Sequence, residues 1–379
     1  MISFELDERQ LALRDAARKF ADQEMRPVAA KYDQSHDFAW DVMKKAFQAG
    51  FLSCSIPHEY GGGGLGALDT AIVSEELAAG CAGLFTSMMA NSLALTPIVL
   101  FGTDDQKKKF LAPFSEKPIL AAFCLTEREA GSDAGGVKTT AVKDGSDYVI
   151  NGSKCFITNG GVASLHVLFA STDREKGTRG MSAIVVPADT KGVHVGKVED
   201  KMGQRASNTS EVFFDDVRVP QTNLLAKEGL GFVVAMKTLD KARASVGAAG
   251  VGVAREAYDY CINYTKTRKQ FGKPISSFQH LAFKLADMAM EIAAARHLVW
   301  HAAWLLDEGK KASKESAFAK CFASDVAMKT TVEAVQILGG YGYMRDYPME
   351  KLMRDAKLLQ IYEGTNEIQR LVISHEILS

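Results

Sequence analysis

The sequence has few of the features that mark a secreted or metal-binding protein. Six cysteines are scattered through its 379 residues without a C-x-x-C pair, so neither a disulfide framework nor a zinc site is predicted. The eight histidines form no spaced cluster, and no other metal site is predicted. This cysteine usage favours a reducing compartment, which we expect to be the cytoplasm, or the mitochondrial matrix for a mature form.

A strong charge of one sign is missing as well. The chain carries 45 basic and 46 acidic residues, so no overall field attracts nucleic acid or an anionic membrane, although a local patch could. The N-terminus is acidic and lacks the basic and apolar regions of a secretory signal. No apolar run approaches the length of about 20 residues that spans a bilayer. We therefore expect no nucleic-acid binding and no membrane insertion.

Several motifs of hydrolases and nucleotide-binding proteins are also absent. There is no G-x-S-x-G elbow, no Walker loop and no H-E-x-x-H pair. Residues Gly61 to Gly66 match G-x-G-x-x-G, but they follow Ile56-Pro57 in a helical region, and Cys81 stands where a ribose-binding acid is expected. They predict a loop that leads into a helix beginning near Leu68.

The first two parts of the chain differ in their pattern of apolar residues. Helical periodicity dominates the first, for example from Trp40 to Ala49 and from Leu68 to Ala79. The middle has short β-branched and aromatic runs, separated by turn signals such as Asn151-Gly152 and Asn159-Gly160-Gly161. Because no helix-length segment interrupts these runs, an antiparallel sheet or barrel is favoured over a parallel one.

The last part returns to helices in long pieces, from Phe232 to Thr265, from Phe278 to Leu306 and from Ser316 to Leu338. Long helices with short links are typical of a bundle. The predicted fold is therefore α+β and multi-domain: an N-terminal helical domain, a middle antiparallel β-domain and a C-terminal four-helix bundle. We place the domain bounds at 1–119, 120–227 and 228–379.

Two stretches in the middle part carry polar groups suited to a ligand. Thr126 and Ser132 place hydroxyls beside Gly131, which suits carbonyl and phosphate oxygens but also describes an ordinary turn. The segment from Asn151 to Gly160 is a predicted strand between two Asn-Gly turns, and a simple hairpin also explains it.

A third stretch places Glu363 at a break between helices. Gly364 ends one helix, and Thr365 or Asn366 can cap the next. An apolar pocket formed with the flanking Ile361 and Tyr362 would raise the pKa of Glu363, as a base working near neutral pH requires. The alternative is a solvated glutamate at a helix end, and these residues alone do not decide between the two.

Five motifs in their order along the chain resemble the acyl-CoA dehydrogenase family. They are T-E-P-x-A-G-S-D at Thr126–Asp133, N-G-x-K-x-[WF]-I-T-N-G at Asn151–Gly160, R-x-x-F-G-K at Arg268–Lys273, Q-I-L-G-G-x-G at Gln336–Gly342, and M-R-D-A-K followed by I-Y-E-G-T at Met353–Thr365. The resemblance covers nearly the whole chain, and its nearest branch is the short- and medium-chain one that includes butyryl-CoA dehydrogenases.

The resemblance implies FAD as the cofactor and assigns residues by matched position. The family positions around the flavin ring are occupied here by Phe123, Leu125, Thr126, Ser132, Phe156 and Thr158. The family positions that hold the diphosphate and adenosine end of a neighbouring subunit's FAD are occupied here by Arg268, Gln270, Phe271 and Gln279. The positions of Gln336, Gly339 and Gly340 also contact that FAD, and those of Thr365 and Glu367 flank it near the base. The positions that contact the acyl-CoA match Ser132, Asp240, Arg243 and Gly364. A site shared in this way implies a homotetramer built as a dimer of dimers.

The same resemblance implies an oxidoreductase of fatty-acid β-oxidation. Glu363 would abstract the α-proton of a saturated acyl-CoA, flavin N5 would take the β-hydride, and trans-2-enoyl-CoA would leave. Electrons would pass to an electron-transfer flavoprotein. Rival hypotheses are an acyl-CoA oxidase, which would make peroxide in air, and a catalytically silent acyl-CoA-binding relative, which would not bleach its flavin with substrate.

Two positions depart from the family pattern. Arg128 replaces the usual proline of the first motif, which affects its loop or a docking surface but leaves Thr126 and Ser132 in place. Some relatives carry their base on the helix with the Asp-Lys-x-Arg sequence, where this chain has Ala242, so Glu363 is the expected base.

The acyl group is specified least by the sequence. In the family, the helix before the first flavin motif lines the far end of the acyl chain, and here the stretch from Leu84 to Leu95 contains no Lys or Arg. A buried substrate carboxylate would therefore lack a partner, which favours a hydrophobic monocarboxylic chain. Met88 and Met89 are candidates for adaptable pocket lining, although either could instead pack the core.

Overall fold

The computed structural model describes residues 5–379 and begins with a helical domain. Its α-helices are α1 Glu8–Phe20, α2 Ala29–Ser35, α3 Trp40–Gln48, α4 Ala67–Gly80, α5 Ala82–Phe101 and α6 Asp104–Glu116. Asp7 is the N-cap of α1, because its side chain accepts a hydrogen bond from the Gln10 backbone N–H, and the helix therefore begins at Glu8. The glycine-rich segment forms the predicted loop before α4, which excludes a dinucleotide-binding strand–turn–helix there.

Helix α5 corrects the expectation that no apolar run approaches the length of a membrane span. It has 20 residues and no charged side chain, and it is the one helix in the described part of the chain that is long and apolar enough to cross a bilayer. However, 67% of its most apolar window is buried inside the protein. It packs against α4, α7 and β1, so its apolar length is used in the protein core.

The middle domain is an eight-stranded sheet in the order β6-β7-β3-β2-β4-β5-β8, with β1 paired to β4. Its strands are β1 Ala121–Cys124, β2 Thr140–Asp144, β3 Asp147–Thr158, β4 Leu165–Ser171, β5 Met181–Pro187, β6 Val193–Val198, β7 Thr209–Pro220 and β8 Leu224–Leu225. Most pairings are antiparallel as predicted, but β1 runs parallel to β4, and β2 meets β4 in parallel at one residue pair. The parallel pairing of β1 and β4 is possible because the β2–β3 hairpin forms the crossover between them.

The prediction of a turn at Asn151-Gly152 was wrong. Strand β3 runs straight through this pair. Its register with β7 shifts between Ile150 and Gly152, where Asp215 and Asp216 of β7 lie opposite Asn151, so the β-bulge is in β7. Gly152 is needed there because it has a φ of 152° and a Cβ would overlap Thr139. The second signal does form a turn, with Asn159 at a φ of 63°.

The C-terminal domain is the predicted helical bundle. Its helices are α7 Gly231–Thr267, α8 Gln279–Asp307, α9 Ser313–Leu338, α10 Met349–Leu359 and α11 Asn366–Leu378, and a short hairpin of β9 Lys269–Gln270 and β10 Lys273–Pro274 follows α7. Helices α7, α8 and α9 pack on one another, α10 and α11 pack against α9, and α4 of the first domain packs on α7 and α8. The three-domain α+β fold is thereby confirmed.

All six cysteines are free and buried. Burial raises the pKa of Cys54 to about 11 and those of Cys124 and Cys261 to about 12. These thiols act as small apolar side chains in the folded protein.

The close approach of α4 and α7 gives a stability prediction. A Cβ at Gly252 in α7 would overlap the backbone carbonyl oxygen of Glu75 in α4. Alanine improves helix propensity over glycine by about 1 kcal/mol in an open helix, yet we expect Gly252→Ala to lower the midpoint of thermal unfolding, because backbone cannot yield as a flexible side chain does. Gly247→Ala, whose Cβ would lie 3.0 Å from the Ala319 carbonyl oxygen, should be milder. An unchanged midpoint for Gly252→Ala would contradict this account of the packing.

Candidate active site

A cavity of about 320 Å³ lies where the three domains meet. Its walls come from α5, from the ends of β1 and β3, from the loop after β1, from the first turns of α7 and from the segment after α10. It brings together most of the residues matched to the flavin ring and the substrate: Phe123, Leu125, Thr126, Ser132, Phe156, Thr158, Arg243, Glu363 and Gly364.

Glu363 enters this cavity from a strained turn. Its own φ is 52°, and that of Gly364 is 93°, so two successive residues adopt the left-handed region. Strain of this kind persists only where the surroundings hold it, and it is commonly found at functional sites. Both carboxylate oxygens of Glu363 are buried, and neither has a hydrogen-bond partner among residues 5–379.

The environment of Glu363 changes its acidity. Burial raises the pKa of Glu363 to about 7, and the positive charges of Arg243 and Lys320 oppose that rise. A carboxyl group with this pKa is both available as a base and basic enough to use near neutral pH. Of its predicted apolar neighbours, Tyr362 lines the cavity, but Ile361 is 47% exposed and does not. The expected contribution of Ile361 to the pocket was therefore wrong, because the turn directs its side chain to the surface.

Arg243 contributes a buried cation to the same cavity. Its side chain lies on α7, and its Nη1 donates to Asp240 Oδ1 at 2.5 Å. Its Nε is buried without an acceptor among the described residues. Asp240 does not line the cavity; it lies behind Arg243 and also accepts a hydrogen bond from Ser313 Oγ at 2.7 Å. Its position is that of a support for Arg243.

A buried ion pair holds the first two motifs together. Lys154 on β3 donates through Nζ to the Leu125 carbonyl oxygen at 3.0 Å and to Glu127 Oε1 at 2.7 Å. Glu127 also accepts from the backbone N–H groups of Lys138 and Thr139. The pair therefore fixes the strand that carries Phe156 and Thr158 against the loop that carries Thr126. Phe156 stays 64% exposed beside the cavity, with a φ of 56°.

The unusual Arg128 does not disturb this arrangement. It lies at an exposed turn in which Glu127 and Ala130 exchange backbone hydrogen bonds, and its guanidinium is 3.7 Å from Glu211. Thr126 and Ser132, on either side of the turn, both line the cavity as expected.

A second cavity, of about 620 Å³, contains most of the other predicted cofactor residues. Arg268, Gln270, Phe271, Gln336, Gly339 and Gly340 line it, and none of them lines the first cavity. Three further predicted residues line neither cavity: Gln279 is the first residue of α8, Thr365 caps α11 by accepting from the Ile368 N–H, and Glu367 is exposed in the first turn of α11. Within one chain the predicted cofactor residues thus lie in two separate places.

Some lining residues were not predicted individually. Thr86, Ala90 and Leu93 come from α5, and Phe232, Met236 and Leu239 from α7. The helical period of an apolar segment does not reveal which residues face a cavity rather than the core. The two methionines illustrate this, because both belong to the hydrophobic core but only Met89 also lines the cavity.

Profiles of three family domains match the chain in the order of its domains. The acyl-CoA dehydrogenase N-terminal domain matches residues 7–117, the middle domain 122–217 and the C-terminal domain 229–378. The chain belongs to the acyl-CoA dehydrogenase family. The family is one of FAD-dependent oxidoreductases, which confirms the predicted cofactor and enzyme class.

Individual relatives agree with the short-chain branch. The chain is 46% identical to the short-chain-specific acyl-CoA dehydrogenase of Clostridium acetobutylicum, over 99% of this chain and 100% of the relative. The structure of butyryl-CoA dehydrogenase from Megasphaera elsdenii matches with a TM-score of 0.97 and 43% identity, covering 100% of both chains. A chain from a study of the electron transferring flavoprotein of Acidaminococcus fermentans matches with a TM-score of 0.98 and 48% identity, again over 100% of both chains.

The buried ion pair gives a prediction that is independent of catalysis. Glu127→Gln keeps the side-chain shape but leaves the Lys154 ammonium buried without an opposite charge, which we expect to cost about 3 kcal/mol of unfolding free energy or more. Adding Lys154→Met removes the unpaired charge and should recover much of that loss. Glu129→Gln, at an exposed position of the same turn, serves as the control and should have little effect. A double variant no more stable than Glu127→Gln in denaturant unfolding would contradict this role of the pair.

Proposed function

We propose that this acyl-CoA dehydrogenase converts a saturated acyl-CoA into the trans-2-enoyl-CoA, with Glu363 as the base that removes the α-proton. The observation that carries the proposal is the Glu363 carboxylate in the cavity of about 320 Å³ between the three domains. It is buried, it has no hydrogen-bond partner among the described residues, and its pKa is raised to about 7. A carboxylate with no partner of its own is free to take a proton from a ligand.

Removing a thioester α-proton also requires donors for the enolate oxygen. The backbone N–H of Glu363 has no backbone acceptor within residues 5–379, so it is available to a substrate carbonyl. Arg243 adds a buried positive charge, with its Nε free, on the same wall. The proton therefore moves to the Glu363 carboxylate while the developing negative charge is stabilised by groups already in place.

The residues present fit FAD. The cavity that contains Glu363 provides hydroxyls at Thr126, Ser132 and Thr158 and an exposed aromatic ring at Phe156, which suit a flat polar ring system. When bound, FAD supplies the acceptor for the β-hydride, chemistry that no protein side chain offers. In the second cavity, Arg268 offers a permanent charge with a planar fork, which suits a diphosphate.

The separation of the two cavities supports a shared site. Gly339, with a φ of 61°, and Gly340 would have no heavy atom within 4 Å of a Cβ added at either position, so their backbone is open to a ligand or to another chain. Phe271 is 92% exposed at the same place. We propose a homotetramer, a dimer of dimers, in which Arg268, Gln270, Phe271, Gln279, Gln336, Gly339 and Gly340 hold the far end of a neighbour's FAD, while Thr365 and Glu367 flank the cofactor near the base.

We further propose an electron-transfer flavoprotein as the acceptor and the cytoplasm as the location. The likeness to a chain from the Acidaminococcus study and the bacterial origin of the relatives support both. The domain limits 1–119, 120–227 and 228–379 also remain a proposal, which the intervals between the matched profiles support.

For the substrate, the cavity favours a short hydrophobic acyl chain. Helix α5 contributes Thr86, Met89, Ala90 and Leu93, none of which is charged. The name of the Clostridium relative, short-chain specific, agrees with this size. Ser132, Arg243 and Gly364 line the cavity within reach of a bound thioester, and Asp240 supports Arg243.

The role of the base is tested by Glu363→Gln. This variant should keep its fold and bound FAD, because the size of the side chain is preserved, while the rate at which an acyl-CoA bleaches the flavin falls by about 10²- to 10⁴-fold. Glu116→Gln changes an exposed carboxylate at the end of α6, which lines neither cavity, and should leave the rate close to wild type. Flavin reduction by Glu363→Gln at the wild-type rate would remove Glu363 from the mechanism.

The acyl preference is tested by comparing butyryl-, hexanoyl- and glutaryl-CoA as reductants of the bound flavin under anaerobic conditions. Butyryl-CoA should be the fastest, and glutaryl-CoA the slowest, because α5 offers its free carboxylate no cationic partner and an unpaired buried charge costs several kcal/mol. Glutaryl-CoA as the best substrate would overturn the apolar pocket.

A further inference from the structure

Lys320 is a buried cation that the proposed reaction does not use directly. It lies on α9 with 0% exposure, next to Ala319 and Cys321. Lysine is rarely buried without a carboxylate partner, yet no Asp or Glu of the described chain lies within ion-pair distance of its Nζ. Such a position calls for a specific function of the charge.

The acceptors of Lys320 belong to the turn that carries the base. Its Nζ donates to the Gly364 carbonyl oxygen at 2.8 Å and to Asn366 Oδ1 at 2.8 Å. Asn366 is fixed in turn, because its Nδ2 donates to Asp325 Oδ1 at 2.7 Å and to Ser324 Oγ at 2.9 Å. Helix α9 therefore holds the turn immediately after Glu363 through side chains spread over more than one helical turn.

The same turn is held from the other side by α11. Gln369 Nε2 donates to the Gly364 carbonyl oxygen at 2.9 Å and to that of Glu363 at 3.3 Å. These bonds explain how successive left-handed residues at Glu363 and Gly364 persist. Lys320 is the charged donor to the Gly364 carbonyl oxygen, and at the end of the turn Arg370 Nη1 donates to the Asn366 carbonyl oxygen at 3.2 Å. Charge-assisted hydrogen bonds are the stronger kind.

We propose that Lys320 is a positioning residue that fixes the turn at 363–366 and, by its positive charge, keeps the Glu363 carboxylate in the ionised form in which it can act as a base. This inference rests on the proposed role of Glu363 and adds to it the group that sets the geometry and charge state of the base.

The other charges around Glu363 have different tasks. Arg243 faces it from α7 but is paired with Asp240, and Asp325 on α9 is engaged by Asn366, Gln360 and Arg370. Asp133 lines the cavity from the loop after β1, and Tyr362 precedes the base in the chain. Glu367 on α11 is exposed, and α5 presents no titratable side chain to the cavity.

The directions of the pKa shifts agree with this assignment. Burial raises the pKa of Glu363, whereas Arg243 and then Lys320 lower it. Burial also lowers the pKa of Lys320 to about 8, and the Glu363 charge opposes that. Lys320 is therefore mostly charged at neutral pH, and loss of its charge raises the pKa of Glu363, so that less of the base is ionised at pH 7.

The test titrates Glu363 in the FAD-loaded enzyme by difference infrared spectroscopy of the protonated carboxyl C=O stretch, a signal assigned by its absence in Glu363→Gln. Two variants are compared: Lys320→Met removes the charge and the hydrogen-bond donor, and Lys320→Gln removes the charge but keeps an N–H donor. In both, the titration midpoint should move up by about one pH unit. Lys329→Met, a surface lysine of the same helix, is the control and should keep the wild-type midpoint.

Kinetics separate the two parts of the role. At pH 7 Lys320→Gln should bleach the flavin about fivefold more slowly, since an upward shift of about one pH unit reduces the ionised fraction from one half to about one tenth, and Lys320→Met should be slower still. At high pH, Lys320→Gln should return to the wild-type rate, whereas Lys320→Met should stay slower because its turn has lost its ties. Unchanged infrared midpoints in both variants would overturn the inference. Failure of wild-type enzyme to bleach with any acyl-CoA would instead overturn the proposed function, because the infrared titration does not depend on turnover.

Discussion

A carboxylate taken out of water without a partner of its own is the constraint on which the rest of the site depends. Desolvating Glu363 is unfavourable, and the cost is met by the surrounding structure rather than by a neutralising ion pair. The backbone must hold a left-handed turn, cations must stand near but not in contact, and the cavity wall must exclude water. Each of these tasks falls to a different element: α10 and α11 frame the turn, α7 brings Arg243, α9 brings Lys320, and α5 closes the apolar side.

A second buried charge lies behind the loop and strand that carry Thr126 and Phe156. The Lys154–Glu127 pair is buried, but unlike Glu363 it is fully compensated, with each member bonded to backbone as well as to the other. A satisfied ion pair behind the cavity thus serves rigidity, and an unsatisfied carboxylate within the cavity serves reactivity. The contrast follows from what each must do, because a paired carboxylate loses the basicity that proton abstraction requires.

Much of the architecture followed from local pattern. The long helices α7, α8 and α9 begin and end within a few residues of their predicted limits, because the periodicity of a long helix is encoded locally. The prediction of a turn at Asn151-Gly152 failed because the dipeptide can also lie within a strand, and here the pairing with β7, which bulges opposite it, keeps β3 continuous. The parallel contact of β1 with β4 likewise depends on non-local pairing. The ordered motifs identified most of the residues that line one cavity, but Lys320, which shares its helix face with Ser316 and Ser324, had no signal of its own in the sequence.

The burial of all six thiols extends to behaviour in solution. Because the thiolate is the reactive form and burial suppresses it at Cys54, Cys124 and Cys261, alkylating reagents and mild oxidants have little to attack while the chain is folded. Each sulfur becomes reactive only when the layer that covers it opens. Cys54 lies in the first domain, Cys124 in the sheet and Cys261 in the bundle. The order in which these three thiols react therefore shows which domain opens locally first.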